Sequence, residues 1–313
     1  MNNKIIIPLF TIFFYIMPIG METRKFHSNN KPFWYLEKTI IVPEKAKAAQ
    51  ENITRKNEDY YISSICLDPS EKFLAIADCD RQIHIMDIET GTKLISHRFD
   101  DDINSICFDH SGEKLAILLY TPETIFFDIQ YDESKKVVGC SLKNSQKHNE
   151  ELSSIFFDTN NKALGIKSNI VHKKIEIIDL STNQKQISFK YNEWIQIIAA
   201  SRSKKYIATG SGTSRARLFD TQQEREIRSF ELQGLVTALA FNKFEKLIAI
   251  ASNDPVVHIF DLQKRDPIDP IATLPHKKYV STLCFGSTGK TLATGSYDGK
   301  VRIFKESKTK YAV

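Results

Sequence analysis

The stretches of this sequence best equipped for chemistry are "GSTGKT" (Gly286–Thr291), "GSGTS" (Gly210–Ser214) and the trio His276, Thr294 and Asp298. A phosphate-binding loop would need a Gly where Cys284 stands, and a helix directly after it so that unpaired amides face the phosphates. "GSGTS" would need a strand-to-helix step to form a nucleophile elbow. A His, a hydroxyl and a carboxylate can relay a proton, but the same groups also satisfy one another as a buried structural network. No His-Glu-x-x-His, paired Cys-x-x-Cys or Ca²⁺-loop pattern is present, and the 8 His are dispersed. No metal, no other cofactor and no catalytic site is expected.

The elements that must hold these residues repeat. Short apolar runs close on Asp87, Asp128, Asp179, Asp220 and Asp261, in steps of 41, 51, 41 and 41 residues, and Lys305 follows after 44. A second set of runs keeps the same beat: "ISSICLD", "INSICFD", "LSSIFFD", "IQIIAAS", "VTALAFN" and "VSTLCFG", beginning at Ile62, Ile103, Leu152, Ile195, Val236 and Val280. Between the two lies a third: "FLAIA", "KLAIL", "ALGIK", "YIATG", "LIAIA" and "TLATG". Independent markers on a period of about 40–45 residues belong to four-stranded propeller blades. "GSTGKT" and "GSGTS" then fall in hairpin turns, because sister repeats carry "DHSGEKL" and "DPSEKFL" at the first of these positions.

From Trp34 to Val313 the chain resembles the WD-repeat β-propeller family, with the usual Trp-Asp closing pair degraded to Met-Asp, Phe-Asp, Ile-Asp and finally Phe-Lys. "PHKKYVSTLCFGSTGKTLATGSYDGKVRIF" keeps most of the pattern, with His276 four residues before Val280 and Asp298 in the second-to-third strand turn. Gly299 supplies the positive φ of that turn. The resemblance implies that His276, Thr294 and Asp298 form a structural network in the last blade. The turn Asp recurs as Asp80 and Asp254 but is Thr121 and Thr213 elsewhere, and a matching His recurs only as His148. Most blades must therefore rely on apolar packing.

The predicted fold is all-β: a single propeller of six blades, with seven as the alternative, closed by an N-terminal strand. The repeats run over about 60–99, 100–148, 149–191, 192–232, 233–275 and 276–313. Five are followed by an outer strand, and "WYLEKTIIV" (Trp34–Val42), within the segment 21–59, supplies the missing one to the sixth. Pro43–Asp59 reads as a connector. Residues 1–20 carry Lys4 and then an apolar run from Ile5 to Ile19, too short for a membrane span. They read as a signal peptide, which would export the protein to the periplasm or secretory pathway; without that role the chain is cytoplasmic. Cys66, Cys107 and Cys284 share one strand position in three blades, and are expected to be far apart as small buried side chains.

The net charge of +5 comes from scattered residues, so no nucleic-acid surface is expected. Membrane contact is expected only through an uncleaved leader. The residue before each first strand lies on the upper rim of a blade: Tyr61, Asp102, Glu151, Trp194, Leu235 and Tyr279. Strand interiors repeat while this position varies and carries three aromatics, which marks it as a partner-binding rim. The function expected is a non-enzymatic platform for protein or peptide partners. An alternative is a phosphoinositide-binding propeller of the PROPPIN type, which the segment "ARLFDTQQEREIRSFEL" resembles. That family's paired arginines are replaced by "SFELQG" (Ser229–Gly234), with Glu231 where a cation is needed.

Overall fold

Each alternating run becomes a strand because one set of its side chains can be buried against a neighbouring sheet, and each Gly-, Asn- or Asp-containing interval turns the chain back. The computed structural model describes residues 33–42, 60–148, 151–169, 174–191, 195–264 and 269–307. The chain divides into a first unit, Met1–Lys31, outside the described residues, and a second, Pro32–Val313, which holds every element below. The leader and the connector Pro43–Asp59 therefore lie outside the description.

The described residues form 24 strands and no helix, arranged as six four-stranded antiparallel sheets. Blade one is β2 (Ile62–Leu67), β3 (Phe73–Asp78), β4 (Gln82–Asp87) and β5 (Lys93–Arg98). Blade two is β6 (Ile103–Phe108), β7 (Lys114–Leu119), β8 (Glu123–Tyr131) and β9 (Val137–Lys147). Blade three is β10 (Ser154–Phe157), β11 (Ala163–Asn169), β12 (Lys174–Asp179) and β13 (Gln184–Lys190). Blade four is β14 (Ile195–Ala200), β15 (Tyr206–Ser211), β16 (Arg215–Asp220) and β17 (Arg225–Glu231). Blade five is β18 (Val236–Phe241), β19 (Leu247–Ser252), β20 (Val256–Asp261) and β21 (Ala272–Pro275).

Blade six is made from both ends of the ring. Its inner strands β22 (Val280–Phe285), β23 (Thr291–Ser296) and β24 (Lys300–Ser307) are joined by β1 (Phe33–Ile41) as the outer strand. β1 runs antiparallel to β24, from Phe33 opposite Ser307 to Ile41 opposite Lys300, with a bulge between Leu36 and Lys38. The expected six blades and the N-terminal closing strand are what the structure contains. Trp34 is buried and meets Phe285 edge-to-face at 6.1 Å, so the latch is apolar as well as hydrogen-bonded.

Apolar residues of adjacent blades interleave. Phe73, Ala75, Ile83 and Ile85 of blade one pack with Ile106, Leu115, Ile117 and Phe127 of blade two, and the same layering continues round the ring. In all six blades the turn between the first and second strands uses one left-handed residue: Glu71, Gly112, Asn161, Lys204, Glu245 and Gly289, with φ between 57° and 79°. "GSTGKT" is one of these turns. Its Thr288 amide donates to the carboxylate of Glu71 from blade one at 2.7 Å, so the turn already holds an anion of its own chain.

The innermost strands face the axis with an edge that has no partner in its own blade. Side chains of the neighbouring blade satisfy that edge. Thr282 Oγ1, Ser64 Oγ and Ser105 Oγ accept the amides of Ile65, Ile106 and Ile155 at 3.3, 3.1 and 3.5 Å. Two residues further on, Cys284 Sγ and Cys66 Sγ accept the amides of Leu67 and Phe108, each at 3.3 Å. In the opposite sense Asn104, Thr237 and Ser281 donate across blades to the carbonyls of Leu152, Val280 and Ile62 at 3.1, 2.6 and 2.5 Å. These three donors sit where the first-to-second strand register slips by one residue, and a bulge there re-aims the side chain toward the next blade.

This edge-to-edge contact corrects the expectation that Cys66, Cys107 and Cys284 stand far apart. They belong to blades one, two and six, but equivalent positions of neighbouring first strands lie side by side around the axis, and all three thiols line one channel. No cysteine is in a disulfide.

Candidate partner-binding site

The upper rim is built by two residues per blade, not one. The residue before the first strand accepts, through its carbonyl, the amide of the residue that follows the second strand. Cys79 pairs in this way with Tyr61, Tyr120 with Asp102, Asn253 with Leu235 and Tyr297 with Tyr279, at 3.2, 2.8, 2.9 and 3.1 Å. The backbone therefore fixes both side chains at the same height on the face of the ring.

The junction between blades six and one concentrates aromatics. Tyr61 and Tyr297 stack at 4.6 Å with planes 7° apart, and Tyr279 lies on the other side of Tyr297 at 4.0 Å. Of the predicted rim residues, Tyr61 and Tyr279 are thus brought together, and the ring between them, Tyr297, was not foreseen. Its hydroxyl is pushed up to about 12, first by burial and then by Tyr279 and Tyr61, so this central phenol stays neutral at physiological pH. Tyr279 remains 36% exposed, and Tyr120 on blade two is 68% exposed. Leu235 is exposed on blade five, away from the cluster. Asp102 accepts a hydrogen bond from Arg81 Nε at 2.9 Å in the open, and Glu151 is exposed. Trp194 lies outside the described residues.

The predicted network of blade six divides into two. His276 Nε2 is 2.7 Å from Thr294 Oγ1 and its Nδ1 is 3.0 Å from the Leu274 carbonyl. Burial pulls this imidazole down to about 4, against the opposing Leu274 carbonyl, so it is neutral and Nδ1–H donates while Nε2 accepts. Asp298 turns to Arg302 instead, with its two oxygens at 3.2 and 2.5 Å from Nη1 and Nη2. A bidentate guanidinium is the stronger partner for a buried carboxylate than a neutral imidazole.

That pair belongs to a recurring device. Three residues before the closing position of the third strand stand His84, Ile125, Glu176, Arg217, His258 and Arg302. Five of these six are polar, and each finds an acidic or basic side chain in its own blade. His84 meets Asp78 at 3.1 Å, Glu176 meets Lys185 at 2.8 Å, Arg217 meets Glu226 at 2.8 Å, His258 meets Asp254 at 3.9 Å and Arg302 meets Asp298 at 2.5 Å. The signal was available in the sequence as a polar residue on the same 41-residue beat.

In blade one the device carries Ser96 Oγ 2.8 Å from His84 Nδ1, and Tyr60 OH 3.0 Å from Asp78. The Ser-His-Asp order is that of a proton relay, but Asp78 also takes the amides of Asp80 and Gln82, and the Ser96 backbone sits in the β4–β5 ladder. The group is a satisfied hydrogen-bond network. What the rim offers chemically is aromatic surface.

Residues 268–305, spanning the outer strand of blade five and the three inner strands of blade six, match the family model described as WD domain, G-beta repeat. The chain is a WD-repeat propeller. Residues 47–111 match a second WD-repeat model, that of the anaphase-promoting complex subunit 4 WD40 domain. Among curated proteins this propeller is similar to the small ribosomal subunit protein RACK1z of Oryza sativa subsp. japonica, at 22% identity over 186 residues. That match covers 58% of the chain and 55% of the rice protein, so the propeller spans about half the length of this relative. The WD-repeat match is offset by one strand from the structural blade, and that offset is what leaves blade six dependent on β1 for its fourth strand.

Proposed function

We propose that this WD-repeat propeller is a non-enzymatic docking platform whose contact surface is the tyrosine cluster at the junction of blades six and one. The supporting observation is the stack of Tyr61, Tyr297 and Tyr279, held at rim height by backbone pairs and still partly open to solvent. Rigid aromatic surface of this kind binds protein or peptide with little loss of side-chain entropy. Tyr120 extends the surface onto blade two. The rice relative is named as a ribosomal subunit protein; from that name we take only that such a ring docks onto a larger assembly.

The test replaces Tyr279 and Tyr61 by Ala, singly and together, and measures captured partners by quantitative mass spectrometry, with thermal unfolding as the folding control. Loss of a central aromatic costs at least about 2 kcal/mol of binding, roughly 30-fold in Kd. Folded variants that capture the same proteins in the same amounts would refute the assignment.

The phosphoinositide reading has less support. Glu231 pairs with Arg215 at 2.6 Å on the outer strand of blade four, where that reading needs unpaired cations. Liposome sedimentation with and without an inositol phospholipid checks this, with no lipid-dependent pelleting expected. Export remains our proposal from the leader alone. N-terminal sequencing of the mature protein should find a start near Met21, and an intact Met1 in the soluble fraction would overturn it.

A further inference from the structure

The channel along the ring axis encloses about 250 Å³ and has two unlike halves. On blades three to five its wall is mostly apolar, with Phe156, Ile197, Ala199, Ala238 and Ala240, interrupted by Ser153, Ser154 and, on blade four, Arg202. On blades six, one and two it carries the three thiols, one on each successive blade, beneath a layer of Thr282, Ser64 and Ser105. Cys66, on the middle blade, faces the thiols of both Cys284 and Cys107.

Three features of this arc go beyond packing. First, the sulfurs of Cys284 and Cys66 accept the amides of Leu67 and Phe108 from the next blade, and such donors stabilise a thiolate more than a thiol. Second, the guanidinium of Arg202 lines the same channel and has no hydrogen-bond or ion-pair partner among the described residues. Third, the thiols of Cys107 and Cys284 are drawn below the ordinary thiol range, first by the neighbouring Cys66 thiol and also by Arg202, while Cys66 itself is pushed up. Two sulfurs thus flank a third on successive blades, the placement an attacking and a resolving cysteine need.

We propose that the channel arc is an oxidation site in which Cys66 closes an inter-blade disulfide with Cys107 or Cys284 when a small peroxide enters the channel. The thiolate of Cys107 or Cys284 attacks one peroxide oxygen. The O–O bond breaks, one oxygen leaves as hydroxide and takes up a proton to become water, and the sulfur becomes a sulfenic acid. Cys66 sulfur then attacks that sulfur, the S–O bond breaks, and the oxygen leaves as a second water carrying the Cys66 proton. Two thiols lose two electrons and two protons, and one peroxide is reduced to two waters. The product ties the first strand of blade one to that of a neighbour, and the Cys66–Cys284 form ties it across the closure of the ring.

The full-length protein, reduced and then exposed to hydrogen peroxide at near-equimolar ratio, is alkylated under denaturing conditions and mapped by mass spectrometry. The expected result is an intramolecular cross-link that always includes Cys66, with the loss of two hydrogens and of two alkylatable thiols. Cys66→Ser abolishes the cross-link, Cys107→Ser confines it to Cys66–Cys284, and Cys284→Ser confines it to Cys66–Cys107. Arg202→Gln slows its formation without changing its sites. A cross-link that omits Cys66, a Cys66→Ser protein that still loses two thiols, or a wild-type channel whose three thiols stay alkylatable while peroxide is consumed would each overturn the proposal. Circular dichroism of every variant before oxidation separates these results from misfolding, and mapping of the wild type needs no variant.

Discussion

Arg302 and Asp298 should be costly charges to remove from this ring one at a time. Their side chains are 8% and 10% exposed, and the guanidinium grips both carboxylate oxygens. Deleting either partner leaves the other charge buried without compensation, which costs about 3–5 kcal/mol. Replacing both by neutral residues of similar size, as in Asp298→Asn with Arg302→Met, removes two desolvation penalties along with one attraction and should cost far less. The pair sits in blade six, so the loss falls on the blade that β1 must latch. Equilibrium urea unfolding of Asp298→Asn, Arg302→Met and the double variant measures all three terms as a thermodynamic cycle. In thermal unfolding each kcal/mol should appear as about 2–4 °C for a chain of this size. The Arg302 guanidinium holds Asp298 below the usual carboxylate range against the opposing effect of burial. Its contribution is therefore complete above the unfolded carboxylate value of about 3.9 and disappears as pH falls through the depressed folded value. Single variants that lose less than about 1 kcal/mol, or a double variant that loses the sum of both, would refute the reasoning.

His276 also loses stability as pH falls, but over a higher window, because it is held neutral. Its folded value is about 4, so the unfolded chain binds the extra proton first, and stability should fall by up to about 1.4 kcal/mol per pH unit between pH 6.5 and 4. His276→Gln should flatten that part of a pH series of urea melts. Gly210→Ala should destabilise by about 1–3 kcal/mol, since a Cβ there would lie 2.5 Å from Val236 Cβ on the next blade. Chemical denaturation checks it, with Gly212→Ala, where a Cβ meets nothing within 4 Å, as the control. Trp34→Ala should cost about 3–5 kcal/mol by emptying the edge-to-face contact with Phe285, and protease digestion should then release β1 before the remainder of the ring.

The architecture was legible because the repeat carries several independent marks. The aspartates ending the first and third strands recur because they cap turns: Asp68 takes the amides of Ser70 and Phe73, and Asp179 those of Ser181 and Thr182. The latch at Trp34 was legible because an unpaired strand upstream and a missing strand downstream have one economical solution. Two things escaped. The ion-pair position on the third strand varies in sign and type, His84 to Glu176 to Arg302, so chemical similarity hides it and only its spacing shows. The thiol arc escaped because sequence distance was taken for spatial distance. In a ring, equivalent positions of adjacent repeats are neighbours, and Cys66 and Cys284 come together although 218 residues separate them. Tyr297 was missed for a related reason: it follows the second strand, and only the backbone pair with Tyr279 raises it to the rim.

The division of labour within a blade explains why this ring can carry a distinctive surface on so degenerate a repeat. Most of the contacts that hold one blade to the next lie in the strands or at their lower turns: the interleaved apolar layers, the channel-edge hydrogen bonds and crossings such as Glu245 to Ser203. Within each blade the upper rim is held by backbone, through the carbonyl-to-amide pair, and its side chains cross between blades at Tyr61–Tyr297 and Arg81–Asp102. Tyr61, Asp102, Leu235 and Tyr279 can therefore differ in size and charge without disturbing the ladder beneath them. The channel differs from the rim in this respect, because a thiol there is at once a hydrogen-bond acceptor for the next blade and a chemical group open to a small reagent. Substitution at the rim should thus change partners and leave stability alone, whereas substitution in the thiol arc should touch both.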